Sequence, residues 1–225
     1  MGKEITFDEI RNNKEIANYV QMADASLAAQ GFTDHSYGHV LKCCKVVKDI
    51  LTGFSYSPRE IRLGQIAAYM HDIGNGINRV GHGQVGAMMA FNILTRLEME
   101  PKDISPIIAA IGNHDESAAY PVNSIAAALI IADKTDVRRT RVRSTVTPEE
   151  AHDNIHLRVN YAVISSQVEI DKENRAIICN MTIDTEITDV MDYFEIFMER
   201  MKLCKLAAKH LDARFKLIIN GLELI

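Results

Sequence analysis

Apolar residues recur at steps of three and four through the first two-thirds of the chain and at steps of two in parts of the last third. Val40, Cys43, Val47, Ile50 and Leu51 draw one helical stripe, Val85, Met88, Met89 and Leu94 a second, and Ile104, Ile107, Ile108 and Ile111 a third. Ile61, Gln65, Ala68 and Tyr69 follow the same period less purely. Thr6, Ser57 and Thr147 each stand three residues before a Glu, which is the capping-box spacing, and Pro58 and Pro148 strengthen the second and third helix starts. The pattern predicts helices near 7–29, with a break allowed, and near 36–52, 58–72, 83–98, 103–113 and 122–137. The Met-rich faces are expected to turn toward the core.

Beyond about residue 145 the period changes. Ala162, Ile164, Ser166, Val168 and Ile170 alternate with more polar neighbours, as do Ile177, Cys179, Met181 and Ile183, and the turn material Asp171-Lys172-Glu173-Asn174 lies between them. A long helix from about Ile187 to Leu211 follows, with Val190, Phe194, Phe197, Met201 and Cys204 on one face. Asn220-Gly221, a hairpin dipeptide, separates Phe215–Ile219 from Leu222–Ile225. The expected architecture is mainly α: a helical bundle over 1–145, then a small α+β C-terminal subdomain over 146–225 with two hairpins and a long helix. Its sheet edges offer a surface for pairing with another copy, the expected route to a homodimer.

Composition narrows the class. A chain of 225 residues, 47% hydrophobic and 24% charged, is ordinary for a packed globular protein. The longest apolar run, Ile125–Ala132, is far short of the roughly 20 residues a spanning helix needs, so no membrane association is expected. The N-terminus has no apolar export segment, and a cytoplasmic location is expected. Cys43, Cys44, Cys179 and Cys204 show no C-x-x-C spacing and read as buried thiols. A net charge of −5 speaks against a stable nucleic-acid complex. That charge is uneven, however: Lys134, Arg138, Arg139, Arg141 and Arg143 crowd into one stretch against the single carboxylate of Asp136, which suits a compact anionic ligand.

Six positions stand out by their placement: His39, the pair His71-Asp72, His82, His114 and Asp133. Each falls at or near the end of a predicted helix, and ligands offered from several helix ends can converge on one pocket. Four imidazoles and two carboxylates form a mixed N/O set, suited to Fe, Mn, Co, Ni or Zn. Asp133 closes the apolar run Ile125–Ala132, where a carboxylate needs a partner; Lys134 is one candidate and a metal a better one.

In this order, with the strings His71-Asp72-Ile73-Gly74, Gly81-His82-Gly83, Asn113-His114-Asp115 and Ile131-Ala132-Asp133-Lys134, the chain resembles the HD-domain metal-dependent phosphohydrolase superfamily in its six-ligand, two-metal form, over roughly residues 30–140. The resemblance implies an HD-type helical bundle holding two divalent transition-metal ions. His39, His71, Asp72 and Asp133 match the first metal's ligands, with Asp72 as the bridge, and His82 and His114 match the second's. The stretch from His35 to His39 looks like the H-x-x-x-H of the cyclic-nucleotide phosphodiesterases in this superfamily, which implies His39 as ligand and His35 as general acid.

The implied function is hydrolysis of a phosphoester or phosphoanhydride of a nucleotide or small phosphorylated metabolite by metal-activated hydroxide. Asp72, His35 and Lys134 are the expected catalytic residues, and Arg79, Lys134, Arg138 and Arg139 the expected phosphate contacts. No G-x-S-x-G elbow or phosphate-binding G-x-x-x-x-G-K-[ST] loop offers a competing site. Relatives with the same six ligands bind two irons and activate dioxygen, so an oxygenase is the rival; a non-enzymatic ligand-sensing module is a third reading, against which the complete ligand set argues. Asp115 and Glu116 are expected to orient His114, and His156, Arg158 and Asn160 to stabilise the junction between the two parts, with closure over the site as the alternative role.

Overall fold

The structure, a computed structural model, describes residues 2–225. Its helices are α1 (Phe7–Arg11), α2 (Lys14–Ala29), α3 (Tyr37–Gly53), α4 (Pro58–Met70), α5 (His82–Arg96), α6 (Pro101–Gly112), α7 (Ser124–Lys134), α8 (Pro148–Asp153), α9 (Ile155–Ala162) and α10 (Val190–His210). Single 3₁₀ turns lie at Ile73–Gly76 and Arg139–Arg141, and the strands are β1 (Val163–Asp171), β2 (Ala176–Ile183), β3 (Arg214–Ile219) and β4 (Leu222–Glu223). The molecule is thus mainly helical with a small C-terminal sheet. No helix among the described residues is long and apolar enough to cross a membrane.

Local chemistry sets most element ends. Thr6, Ser57 and Thr147 each form the reciprocal capping box their spacing predicts. The expected 7–29 helix is two, because the Asn13 side chain accepts from the backbone N–H groups of Glu15 and Ile16 and starts α2 afresh. Asn154 does the same for α9, a helix the apolar pattern does not announce.

The bundle is arranged around α7. Ile125 to Ala132 are all buried, and α7 packs against α3, α4, α6 and α10. A helix enclosed on every side has no polar face to lose, which is why its apolar run is unbroken. One continuous core cluster runs from Ile5 to Ile219 and includes residues on both sides of residue 145.

The face that α5 buries differs from the expected one. Met88 is 60% exposed and Met89 only partly buried, whereas Gly83, Gly86, Ala90, Ile93 and Leu94 face inward. The cause is close backbone approach. A Cβ on Gly74 would lie 2.0 Å from the His82 carbonyl oxygen and 2.6 Å from the Gly86 nitrogen, so only glycines let α5 meet the 73–76 turn. The small residues turn in, Met88 turns out, and Met89 packs at the edge of the core.

The sheet order is β1-β2-β3-β4. The β1–β2 and β3–β4 pairs are antiparallel hairpins, while β2 and β3 run parallel with Cys179 opposite Leu217, and α10 is the crossover between them. Asn220 and Gly221 both have positive φ at the second hairpin, as a primed turn requires. The expected alternation in β1 fails at its start. An irregularity between Val163 and Ser165 shifts the phase, leaving Val163 buried and Ile164 exposed, while Ala162 belongs to α9.

Candidate metal centre

The six predicted positions meet in one buried cluster, each brought there by an element end. His39 lies in the first turn of α3, His71 and Asp72 directly follow α4, His82 opens α5, His114 follows α6, and Asp133 is in the last turn of α7. Asp72 stands at the middle. Its Oδ2 lies 3.2 Å from His71 Nε2 and 3.7 Å from His39 Nε2, and its Oδ1 lies 3.5 Å from His82 Nε2 and 3.8 Å from His114 Nε2. Asp133 Oδ1 is 3.3 Å from His39 Nε2 and 3.9 Å from His71 Nε2. One oxygen of Asp72 therefore faces each half of the histidine set.

Behind the cluster every imidazole is held by its other nitrogen. His71 Nδ1 donates to the Ala68 carbonyl at 2.8 Å, His82 Nδ1 to the Arg79 carbonyl at 3.0 Å, and His114 Nδ1 to the Ile111 carbonyl at 2.6 Å. His39 Nδ1 donates to Asp136 Oδ2 at 2.8 Å. Such acceptors keep a proton on Nδ1, so when the rings are neutral four Nε2 lone pairs point inward at two carboxylates. His82 Nε2 and His114 Nε2 face each other at 3.2 Å, and His71 Nε2 and Asp72 Oδ2 are buried without a hydrogen-bond partner. A buried group of converging acceptors is unfavourable by itself and becomes favourable around a cation. The residues present fit a metal, and their N/O composition fits a divalent transition metal. Cys43 adds a sulfur at the edge, with Sγ 3.7 Å from His39 Nε2. Burial pushes its thiol well above the ordinary range, so it is a neutral group like the other three free, buried cysteines.

The surroundings keep the carboxylates ionised. Burial alone would raise the pKa of Asp72, but His71 and His114 hold it well below the usual range. Burial likewise opposes ionisation of Asp133, and the Lys134 ammonium, bonded to its Oδ2 at 2.7 Å, together with His39 and His71 outweighs it. Asn75 donates to Asp72 Oδ1 at 2.9 Å, which fixes the carboxylate plane. Burial lowers His82 to about 4 and His35 well below its ordinary value, so both imidazoles are neutral near pH 7.

A cavity of about 270 Å³ opens beside the cluster, lined by His35, Asp72, Arg79, His82, Asp133 and Lys134. Part of its wall comes from the C-terminal part, with His156 and Asn160 on α9 and Phe197 and Arg200 on α10. His156 and Asn160 line the cavity, the second of the two roles expected for them, whereas Arg158 is tied to Asp192.

Arg138 and Arg139 do not line this cavity. Arg138 is spent on Asp136, 2.7 Å away, and on the Gly38 carbonyl, and Arg139 bonds the Tyr161 carbonyl and Asp184 and lies over the Tyr161 ring. The cationic stretch is largely a brace between segments, and the arginine that reaches the cavity is Arg141. His35 is oriented by donation from Nδ1 to the Thr33 carbonyl, so its Nε2 is an acceptor in the resting state rather than a donor. Asp115 and Glu116 do not orient His114, a task taken by the Ile111 carbonyl; Glu116 instead joins Lys134 at 3.5 Å to Arg200 at 2.6 Å.

Two functional neighbours escape the sequence reading. Asp136 backs His39, and Asn75 braces Asp72; both sit three residues beyond a ligand, at Asp133 and Asp72, and that spacing is their one local signal.

No family model matches the chain. Over 162 residues it is 26% identical to an uncharacterized protein of Methanocaldococcus jannaschii, an alignment that covers 61% of this chain and 61% of that protein. The chain thus spans about three-fifths of the length of the curated relative it matches. Among solved structures it is similar to a predicted HD superfamily hydrolase from an uncultured Thermotogales bacterium, at 21% identity and a TM-score of 0.45, covering 56% of this chain and 68% of that one. In this chain the six side chains stand together as a buried His/Asp cluster that could hold a metal ion, in a mainly helical fold with a small α+β C-terminal part.

Proposed function

We propose that this protein is an HD-type metal-dependent phosphohydrolase acting on a small phosphorylated substrate, a nucleotide or a phosphorylated metabolite. The observation that carries the reading is the donor geometry: four histidines whose Nδ1–H groups are donated outward, with their Nε2 atoms converging on Asp72 and Asp133. His39, His71, Asp72 and Asp133 would hold one divalent cation and His82, His114 and Asp72 a second. Bound there, such cations supply Lewis acidity toward a phosphoryl oxygen and a water acidic enough to react near neutral pH.

The chain's own residues do the rest. Lys134 keeps its charge because Asp133 and Glu116 outweigh the burial that would remove it, and it stands in the cavity wall beside the ligands as a phosphate contact. Arg79 reaches the same wall from the loop between the ligands, with Nη1 3.2 Å from Asn75 Oδ1 and its guanidinium 5.5 Å over Phe32. His35 would take the proton released by the attacking water at Nε2 and give it to the departing oxygen, Nδ1 remaining committed to Thr33. A cavity of about 270 Å³ lies at or below the lower end of the roughly 300–1,000 Å³ of small-molecule sites, which favours a compact substrate over an oligonucleotide.

Protein purified without chelator should contain up to two transition-metal ions per chain and hydrolyse members of a panel of phosphorylated metabolites. Asp72→Ala should lose both metal and activity. A folded wild-type protein with no affinity for Mn, Fe, Co, Ni or Zn would refute the reading, and oxygen consumption without phosphate release would replace it with the oxygenase.

A further inference from the structure

We propose that Arg141 grips the phosphoryl oxygens of the substrate, an inference that rests on the phosphohydrolase reading above. The 3₁₀ turn Arg139–Arg141 sends consecutive cations to different places. Arg139 goes out to Tyr161, and Arg141 folds inward, 5% exposed, to line the same cavity as His35, Asp72 and Asp133.

Its guanidinium is fixed by main-chain atoms. Nε donates to the Asp34 carbonyl at 2.9 Å and Nη1 to the Asp136 carbonyl at 2.8 Å, while the Asp34 amide donates back to the Arg141 carbonyl at 2.8 Å. Nη2 is buried and has no hydrogen-bond partner. A planar fork held on two sides with its third nitrogen unengaged is preorganised for an oxyanion.

The charge balance points the same way. Lys134 and Arg200 have carboxylates at 2.7 and 2.6 Å, but both close partners of Arg141 are neutral carbonyls. The carboxylate it approaches, Asp136, is 3.9 Å away and already bonded to His39 Nδ1, Lys42 at 2.9 Å and Arg138 at 2.7 Å. One carboxylate thus serves several cationic or donor groups, and a buried guanidinium is left short of counter-charge. Cations bound at the cluster would deepen that deficit, and a phosphoryl group would fill it.

The test uses inorganic phosphate as the probe on the metal-loaded protein. By calorimetry, Arg141→Gln should weaken phosphate binding at least tenfold, equivalent to about 1.4 kcal/mol, with metal content unchanged. Arg141→Lys, which keeps the charge and loses the fork, should also bind weakly, and Arg139→Gln should bind as wild type does. Because Arg141 also ties two carbonyls, a second measurement needs no variant: in wild-type crystals soaked with phosphate, a phosphate oxygen should lie within hydrogen-bond distance of Arg141 Nη2. A folded Arg141→Gln protein with wild-type phosphate affinity, or phosphate seated with Nη2 unengaged, overturns the proposal while leaving the metal-site reading intact. Failure of that reading shows separately, as a wild-type protein that takes up no metal.

Discussion

An imidazole binds a cation through one nitrogen only if its proton is kept on the other, and this cluster achieves that with three backbone carbonyls and one carboxylate. The carboxylate, Asp136, is the most vulnerable because it is a side chain. It holds His39 Nδ1 at 2.8 Å and is itself held by Lys42 and Arg138, and His39 with the charges of Arg141 and Lys42 keeps its pKa well below the usual range against the opposing effect of burial. Asp136→Asn leaves the shape nearly unchanged but removes the charge that favours the Nδ1–H tautomer and orients the ring. Loss of such a supporting partner typically weakens metal binding about 10–100-fold. Competition against a chromophoric chelator should show that drop, and equal affinities would mean that Asp136 only braces Lys42 and the arginines.

At the level of elements, the site is an arrangement of helix ends, and its precision depends on how closely those ends approach. Gly74 is the tightest point, where the turn after His71-Asp72 meets the first turn of α5 that carries His82. In Gly74→Ala the new methyl would overlap the His82 carbonyl oxygen, and neither backbone can yield without moving a ligand. Overpacking of this kind costs about 1–3 kcal/mol. The variant should therefore show a lower urea midpoint together with fewer bound metal ions per chain, and wild-type values for both would show that the turn is free to shift. Sequence pattern catches these elements well where the signal is local, as at Ser57, and misses where contact decides. The buried face of α5 is chosen by glycine contacts across the interface, and the strand phase of β1 by an irregularity at Val163, neither of which periodicity registers.

The whole molecule feels the buried titratable groups as a dependence of its stability on pH. In the metal-free protein burial holds His82 at about 4 and His35 well below its ordinary value, whereas the unfolded chain protonates its histidines near about 6.5. Between those values the unfolded state binds more protons, so acidification through that window destabilises the fold. The depressed carboxylates Asp72, Asp133 and Asp136 contribute stability above about pH 4 that is lost below it. His71 acts in the opposite sense. Burial would lower it, the charge and hydrogen bond of Asp72 together with the Asp133 charge and the Ala68 carbonyl raise it further than that, and its stabilisation is present below about pH 6.5 and disappears as the pH rises through its folded value. Urea midpoints of the chelator-treated protein should accordingly be highest near neutrality and fall steadily toward pH 4. A midpoint that rises on going from pH 6.5 to 5 would contradict the assignment of His35 and His82 as neutral.

What the sequence determined by itself is what neighbours along the chain decide. The capping boxes, the apolar run of α7, the hairpin at Asn220-Gly221 and the ordered series from His39 to Asp133 rest on spacings of a few residues or on residue types that keep their meaning alone. The tertiary structure decided everything that depends on a partner distant in sequence. It chose Arg141 over Arg138 and Arg139 for the cavity, set Asp136 behind His39 across almost a hundred residues, paired β2 with β3 in parallel through α10, and brought α9 and α10 into the wall of the cavity. The physical reason is the range of the interactions. Backbone propensity and capping act within a helical turn, whereas desolvation, charge compensation and close packing act only between surfaces that folding has already brought together.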